Sequence, residues 1–403
     1  MKKPIFYSLP PAGHKISLRL LWGGIGNRSQ EQCDRAIEDI KGYLGSRNVF
    51  YLSSGRAALW LYLKALSLFK PERKEVIVPA YTCPSIVSAV LKAGLRPVLC
   101  DNNLDDFGYA PREFENRLGK QTLAAIVVHL YGVPARISTL QELCRSNGTS
   151  LVEDAAQAFG NAFPDEQNVK LGMKGDAGFY SFGRGKPISI LHGGLLVVAS
   201  DEVSHEARRI MQRLNAENAN MQYRLSLGAY VLFSNPRLYW IPQMLPFLNL
   251  GGTVFEPEFS TARGLSVAAA LLGTMLPGLE KEKETRGTNA KWYSDNLSQG
   301  CLRHIGSRRN EYPYLRYPLI IDDRDLRAGI LERLVAEGTG ATGSYPTPLN
   351  QLPKLREVLA DDTEYKYATK IAGSIVTLPV HSGVSAADRE NIKRIIEAVT
   401  HAN

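Results

Sequence analysis

The chain has 403 residues and a net charge of +8, with 44% hydrophobic and 22% charged residues. That length exceeds one ordinary core and predicts two domains, or one large and one small, with enough apolar material for both. The positive charge favours anionic ligands or surfaces, but the basic residues are dispersed, and without a Cys/His finger or a long basic arm the sequence argues against a nucleic-acid partner.

The five cysteines, Cys33, Cys83, Cys100, Cys144 and Cys301, are odd in number and lack CxxC spacing. They predict reduced thiols, a cytoplasmic setting and no metal site. The N-terminal MKKPIFYSLPPAGHK has no apolar run behind its lysines and does not read as a signal peptide.

Apolar spacing after a capping Ser29 predicts a helix to Leu44. The pattern then alternates. Helices are predicted over Arg56–Leu66, Ser85–Gly94 and Ile137–Gly148, and strands over Glu75–Pro79, Arg96–Asp101, Leu123–Leu130 and Ser150–Ala156. Two more strands are predicted over Asp176–Phe182 and Leu195–Ala199. Unbroken apolar strands alternating with helices imply an α/β fold whose parallel sheet is covered on both faces. Ligands bind such sheets at the carboxyl ends of the strands, which directs attention to Tyr81, to His129–Gly132 and to Glu153–Asp154.

Leu225–Gly252 is apolar and aromatic, with Arg237 its one charge and prolines at 236, 242 and 246. The prolines argue against a membrane span. A buried or interface-forming insertion is expected, with peripheral membrane contact or a greasy substrate as the sharper alternative. Leu265–Leu279 and the polar stretch after it read as one helical region divided at Pro277. Strands at Tyr312–Ile321 and Ile375–Val380 follow, with helices at Arg324–Gly338 and Ser385–Val399, the last opening on a capping box of Ser385 and Asp388. The division expected is a large domain (1–255, with an atypical apolar insertion at 200–260), a connecting helical region (256–300) and a small α+β domain (301–403).

Three segments carry chemistry. SSGRAAL (Ser53–Leu59) puts Gly55 and Arg56 at a helix N-terminus, where free amides suit a phosphate, although an ordinary capped helix reads the same way. VEDAAQAFG (Val152–Gly160) ends a strand on Asp154, with Gln157 three residues on. A carboxylate there is either a helix N-cap or the partner of a cation such as a protonated pyridine nitrogen. SFGRGKPISILHGG (Ser181–Gly194) holds Lys186 between a glycine and a proline, either as a surface charge or as a buried amine able to attack a carbonyl. Taken in chain order, the three form a phosphate cradle, an acid and a lysine, the parts of a pyridoxal phosphate (PLP) site.

Those segments, together with HLYGVPARISTLQELCRSNGTSLVEDAAQAFG, the Ser-x4-Lys spacing of Ser181 and Lys186, and SYPTPLNQLP, resemble the DegT-type sugar aminotransferases, PLP enzymes of fold type I. The resemblance runs from about Val49 to Pro379 and implies a mostly parallel seven-stranded sheet flanked by helices, with a smaller α+β C-terminal domain. It also implies roles by position. Asp154 pairs with the pyridine nitrogen and Gln157 lies by the ring hydroxyl. Ser181 and the backbone of Gly55 and Arg56 hold the phosphate, and Lys186 links to the cofactor and shuttles the proton. Amino-group transfer from glutamate to a nucleotide-linked keto sugar is implied for polysaccharide or glycoconjugate assembly, in a homodimer with shared sites. A sugar dehydratase, a PLP enzyme for a hydrophobic or lipid-linked substrate, and a non-catalytic regulator are the alternatives.

Departures from the family pattern fall around the ring and the substrate. Cys83 stands where a ring-stacking aromatic is common, with Tyr81 a possible substitute. Ser260, Thr261 and Arg263 stand where the partner subunit often supplies an asparagine, and His192 where an acid is common. Arg184, His192 and Tyr345 are the candidate substrate contacts.

Overall fold

The computed structural model describes residues 6–13, 30–217, 221–245, 252–297, 300–306 and 311–401. In chain order the strands are β1 (Val49–Leu52), β2 (Glu75–Pro79), β3 (Arg96–Cys100), β4 (Thr122–Val128), β5 (Ser150–Asp154), β6 (Ala162–Phe163), β7 (Glu166–Lys170), β8 (Ala177–Ser181), β9 (Gly194–Val198), β10 (Leu302–His304), β11 (Arg316–Ile321) and β12 (Ile375–Pro379). Seven of them form one sheet in the order β1-β9-β8-β5-β4-β2-β3. The pairs from β8 through β5, β4 and β2 to β3 are parallel, and β9 runs antiparallel to both β8 and β1.

β4 shows why the central strands are apolar throughout. Ala124, Ile126 and Val128 join one hydrophobic cluster, with the helices Gly55–Ser67 and Ser85–Lys92. Ala125 and Val127 join a second, with the helices Gln30–Leu44 and Ser266–Met275. A strand alternates its side chains between faces, so burial on both faces requires an unbroken apolar run. The helix over Ser138–Asn147 ends as expected on Gly148, at φ 69°.

The C-terminal strands β10, β11 and β12 make an antiparallel three-stranded sheet. Its helix Arg324–Ala336 is capped by Asp323, and Ala386–Thr400 opens on the expected capping box of Ser385 and Asp388. β11 begins at Arg316, later than expected, because Tyr314 turns back to the Tyr312 carbonyl and Leu315 donates its amide to the Tyr131 carbonyl, in the turn after β4.

The helical region divides where Pro277 predicts, into Ser266–Met275, a 3₁₀ turn over Leu276–Gly278 and Leu279–Asn296. Of the two expectations for the apolar segment, buried or interface-forming, the structure corrects burial. The described part of the segment is a helix, Met221–Phe233, and a short turn, Trp240–Gln243. Of that longer helix only Leu227 is buried, while Leu225 and Leu232 are 66% and 54% exposed. Apolar composition suggested burial, but the helix lies on the outside of the fold. Residues 246–251 of this segment, and Ser29, lie outside the described residues. Among the described residues no helix is long and apolar enough to cross a membrane.

One buried ion pair ties these parts to the loop that carries Lys186. Arg286, on the helix Leu279–Asn296, bonds Glu282 through Nε at 3.2 Å and donates to the carbonyls of Gly13 and Pro187 at 2.8 and 3.1 Å. Arg286→Ala removes the cation paired with Glu282 and two carbonyl contacts, so a loss of about 3–5 kcal/mol is expected in chemical denaturation.

Candidate active site

The carboxyl ends of β2, β4, β5 and β8 meet the N-terminus of the helix Gly55–Ser67 and the loop from Phe182 to Gly193. Asp154 closes β5, is 6% exposed, and accepts the Ala156 amide at 2.9 Å. No helix follows it, so this is a local turn and not a helix cap. Burial raises the Asp154 pKa, while the Lys186 ammonium, the Ala156 amide and His129 work against that rise. Lys186 therefore lies close enough to Asp154 for its charge to be felt.

The preceding carboxylate, Glu153, faces the other way and is fully satisfied. It bonds His129 Nε2 at 2.8 Å and accepts amides from Gly172, Lys174 and Gly175 at 2.9, 2.6 and 2.6 Å. Burial works to raise its pKa, but the His129 bond and charge and these glycine amides hold it below the usual value.

The cradle expected at Gly55 is built from close backbone approach. A Cβ on Gly55 would stand 3.0 Å from the Ser181 Cβ and 3.2 Å from the Tyr180 carbonyl oxygen. One on Gly194 would stand 2.3 Å from the Gly55 nitrogen. Only glycine lets β9 and the helix start this close. Ser54 caps the helix by accepting the Ala57 amide at 3.2 Å, which leaves the Gly55 and Arg56 amides at its mouth. The Arg56 side chain turns away, to Glu256 at 3.0 Å and over the Phe259 ring.

Lys186 is half-buried, less enclosed than the apolar sequence around it suggests, and Arg184 is exposed. The loop is fixed by Gly185 at φ +69°, by the Lys186 amide donating to Ser189 Oγ at 2.9 Å, and by Tyr223 donating to the Ile190 carbonyl at 3.1 Å.

A tyrosine cluster closes the other side. Gln157 accepts the Tyr131 amide at 2.8 Å and donates to the Tyr345 hydroxyl at 3.3 Å. Tyr81 is fully buried, donates to the Tyr345 carbonyl at 3.2 Å and meets its ring edge-on. Burial, then Cys83, Tyr131 and Asp154, raise the Tyr345 pKa, which places Tyr345 among them as a neutral phenol. The Cys83 sulfur lies 3.0 Å from Ser85 Oγ.

The structure thus brings Gly55, Ser181, Asp154, Gln157, Lys186, Tyr81, Cys83 and Tyr345 to one place. His192 sits behind it, with Nε2 3.0 Å from Glu217. Burial lowers the His192 pKa against the pull of Glu217. Ser260, Thr261 and Arg263 lie along the edge of their own subunit's β1. The Ser53 amide donates to the Ala262 carbonyl at 3.0 Å, and the Ser53 hydroxyl to the Ser260 carbonyl at 2.9 Å.

Arg316 escaped the sequence reading. Its Nη2 is 4.0 Å from the position of a Cβ on Gly185, its Nη1 donates to Thr342 Oγ1 at 3.2 Å, and its Nε is buried without a partner. Burial lowers its pKa, and Tyr131, Tyr345, Tyr239 and Tyr81 all stand near enough to oppose this. The signal available was a lone cation inside the apolar, aromatic run YPYLRYPLII.

A large mostly parallel sheet with this convergence at its strand ends defines the fold of the type I PLP enzymes. A solved structure with the same fold is PseC of Helicobacter pylori, an aminotransferase involved in the biosynthesis of pseudoaminic acid, at TM-score 0.77 and 16% identity, covering 98% of this chain and all of that one. The chain belongs to the DegT/DnrJ/EryC1/StrS aminotransferase family, which it matches over residues 32–400. It is similar to the UDP-N-acetyl-3-dehydro-alpha-D-glucosamine 3-aminotransferase of Acidithiobacillus ferrooxidans, with 27% identity over 91% of this chain and 88% of that protein. It is also similar to a GDP-perosamine synthase of Vibrio cholerae, at 30% identity over 44% of this chain and 47% of that protein.

A pH test follows from Glu153. A depressed carboxyl pKa stabilises the fold above the unfolded value of 4.5, and that stability is lost as pH falls through the folded value. Wild-type protein is expected to lose stability more steeply than Glu153→Gln on acidification from pH 5, as read by denaturation midpoints at stepped pH.

Proposed function

We propose that this protein is a PLP-dependent aminotransferase that moves an amino group from an amino acid, glutamate first, to a keto sugar. The observation that carries this reading is Asp154: a buried carboxylate with its pKa raised, one backbone amide as its hydrogen-bond donor, and the Lys186 charge close by. Such a group lacks a buried cationic donor, which a protonated pyridine nitrogen would provide. The close backbone packing at Gly55 and Gly194, where a Cβ would clash, sets the N-terminus of the helix against Ser181, and such a terminus suits a phosphate. The residues therefore fit the cofactor.

Bound PLP supplies an electron sink and a carrier for the amino group. The amides of Gly55 and Arg56 and the hydroxyl of Ser181 hold its phosphate. Asp154 holds the proton on the ring nitrogen, and Gln157 lies beside the ring hydroxyl. Lys186 Nζ anchors the cofactor, then takes and returns the proton at the reacting carbon. Tyr81 and Tyr345 wall the site against water, with Cys83 in the place of a stacking ring. Arg316, with Nη1 on a threonine hydroxyl and Nε buried without a partner, suits a substrate carboxylate or phosphate. The sugar acceptor is carried here by family membership, and its nucleotide link by the names of two similar proteins, the UDP-linked sugar aminotransferase of Acidithiobacillus ferrooxidans and the GDP-perosamine synthase of Vibrio cholerae. A cytoplasmic homodimer is part of the same reading.

Purified protein should absorb visible light, and borohydride should fix the chromophore to Lys186. Lys186→Ala should retain no fixed chromophore, and retention would refute the assignment. With glutamate alone, each site should release one 2-oxoglutarate. No release with any amino donor would remove transamination.

Asp154→Asn separates cofactor binding from folding. A raised carboxyl pKa means the ionised form opposes folding above that pKa, and the penalty fades as pH falls through it. The apo variant should therefore match or exceed wild-type stability at pH 7, with the gap closing in acid. Cofactor affinity should fall roughly 30-fold or more, as when one partner of a buried charge pair is removed.

A further inference from the structure

Beside the Lys186 loop lies a cavity of about 790 Å³ that the roles above do not use. Its walls come from the exposed helix Met221–Phe233, the turn at Trp240–Gln243, residues 10–13 and the loop 381–383. The volume suits a ligand, not a water cluster. The lining is apolar along most of its length, with Leu191, Ala229, Val231, Ile241 and Leu245 among its residues, and a Cβ on Gly228 would meet nothing within 4 Å.

Three polar side chains of the wall are turned to backbone partners. The Ser234 hydroxyl donates to the Tyr230 carbonyl at 2.6 Å, Asn235 accepts the Arg237 amide at 3.0 Å, and His381 engages the Pro10 carbonyl and the Gly383 amide at 2.8 and 3.1 Å. A nucleobase or ribose would find few free groups here, and an aliphatic chain needs none.

One wall residue is a cation, Arg184, exposed and without an ion pair among the described residues. It stands two positions before Lys186, on the same loop as Leu191. Tyr239, also on the wall, has its pKa raised by burial, and Arg184 and Arg316 both lie near enough to oppose that rise. The charged residue of the cavity therefore sits on the loop that carries Lys186. The outer side of the helix agrees: Tyr223, Leu227, Tyr230 and Val231 pack on the core, but Met221, Leu225 and Leu232 are exposed, and such apolar surface beside a groove suits an apolar ligand.

We propose that this cavity receives the apolar chain of an amphipathic anion, with its phosphate or carboxylate at Arg184, on the loop that carries Lys186. The ligand class is thus a lipid-type phosphate or carboxylate. The proposal goes beyond the aminotransferase reading and does not depend on it, because occupancy of the cavity needs no turnover.

The test is a binding titration on the holoenzyme, with dodecyl phosphate and dodecanoate below their critical micelle concentrations displacing a fluorescent fatty acid. Saturable displacement by either is expected, and the stronger of the two identifies the head group. Dodecanol should bind roughly tenfold more weakly, the worth of one lost ionic contact. Arg184→Gln should remove the preference for the anions and leave dodecanol unchanged. Ala229→Trp, which fills the cavity, should weaken binding roughly tenfold or more, with cofactor absorbance and thermal midpoint retained. Gly228→Leu is the milder variant if the tryptophan does not fold. No saturable binding overturns the proposal. So does displacement by a nucleoside diphosphate at equal concentration, or dodecyl phosphate binding that survives both cavity variants. A change of oligomeric state in Ala229→Trp would mean that a second copy of the chain covers this face. Association with phosphatidylglycerol vesicles that both cavity variants retain would be surface attraction by the net charge, and would likewise refute the cavity. Failure of the glutamate half-reaction with chain binding intact would sink the transamination reading alone.

Discussion

Two neighbouring carboxylates at the end of β5 set the terms for everything around them. Successive strand residues face opposite sides of a sheet, so Glu153 and Asp154 enter different environments though they are adjacent in sequence. Glu153 meets His129 and three backbone amides and becomes a structural anchor between β4, β5 and the turn before β8. Asp154 meets one amide and an apolar surround, which opposes its ionisation. The same residue chemistry therefore yields a satisfied charge on one face and an unsatisfied one on the other. The unsatisfied one faces the mouth of the helix Gly55–Ser67, Ser181 and the Lys186 loop, and those elements only make chemical sense around a bound group that Asp154 can pair with.

Around that carboxylate the fold contributes rigidity unevenly. The cradle at Gly55, Ser181 and Gly194 is held by strand pairing and by contacts too close for any side chain. The Lys186 loop has no strand or helix of its own. It is held by Ser189, by Tyr223 and by the reach of Arg286 from a separate helix to the Pro187 carbonyl. Positive φ at Gly185 and at Leu191 marks its two bends, the second at a residue that does not favour that conformation. A buried arginine that satisfies a loop carbonyl orders the loop without covering it, and the lysine stays half-exposed and reachable.

The sheet and its flanking helices were legible because each strand is buried on both faces and each helix on one, which leaves a periodicity in the sequence. Glycine and proline supplied several of the boundaries, at Gly148 and Pro277 for example. The three chemical segments were legible because they follow strands or open a helix, where backbone geometry and sequence coincide. What the sequence hid depended on distant parts of the chain. That β9 runs antiparallel is a matter of chain path, to which an apolar run of five residues is indifferent. The helix Met221–Phe233 has no sharp apolar face, a pattern that in a globular core means burial, yet it is laid on the exterior with only part of it packed on the core. Arg316 is held beside the site by Leu315, which docks on Tyr131 in the turn after β4, a contact between distant parts of the chain. The segment with Ser260 and Arg263 pairs with its own β1, a register that no local motif announces.

The charge balance of the site gives these separate features a common direction. Lys186, Arg184 and Arg316 stand around it with Asp154, while the charge of Glu153 is met by His129 and amides on the opposite face and Glu217 is paired with His192. A concave site with this excess of cations concentrates positive potential, which draws phosphate- and carboxylate-bearing molecules and favours release of neutral ones. A cofactor phosphate at Gly55 would offset part of that excess, and a pyridinium would neutralise Asp154. The arginines would then remain as the groups left to read the substrate. Because Arg316 is enclosed by tyrosines while Arg184 opens onto the apolar cavity, the two offer different surroundings to an anion. One suits a compact carboxylate held close to the reacting carbon, the other an anion with a long apolar extension.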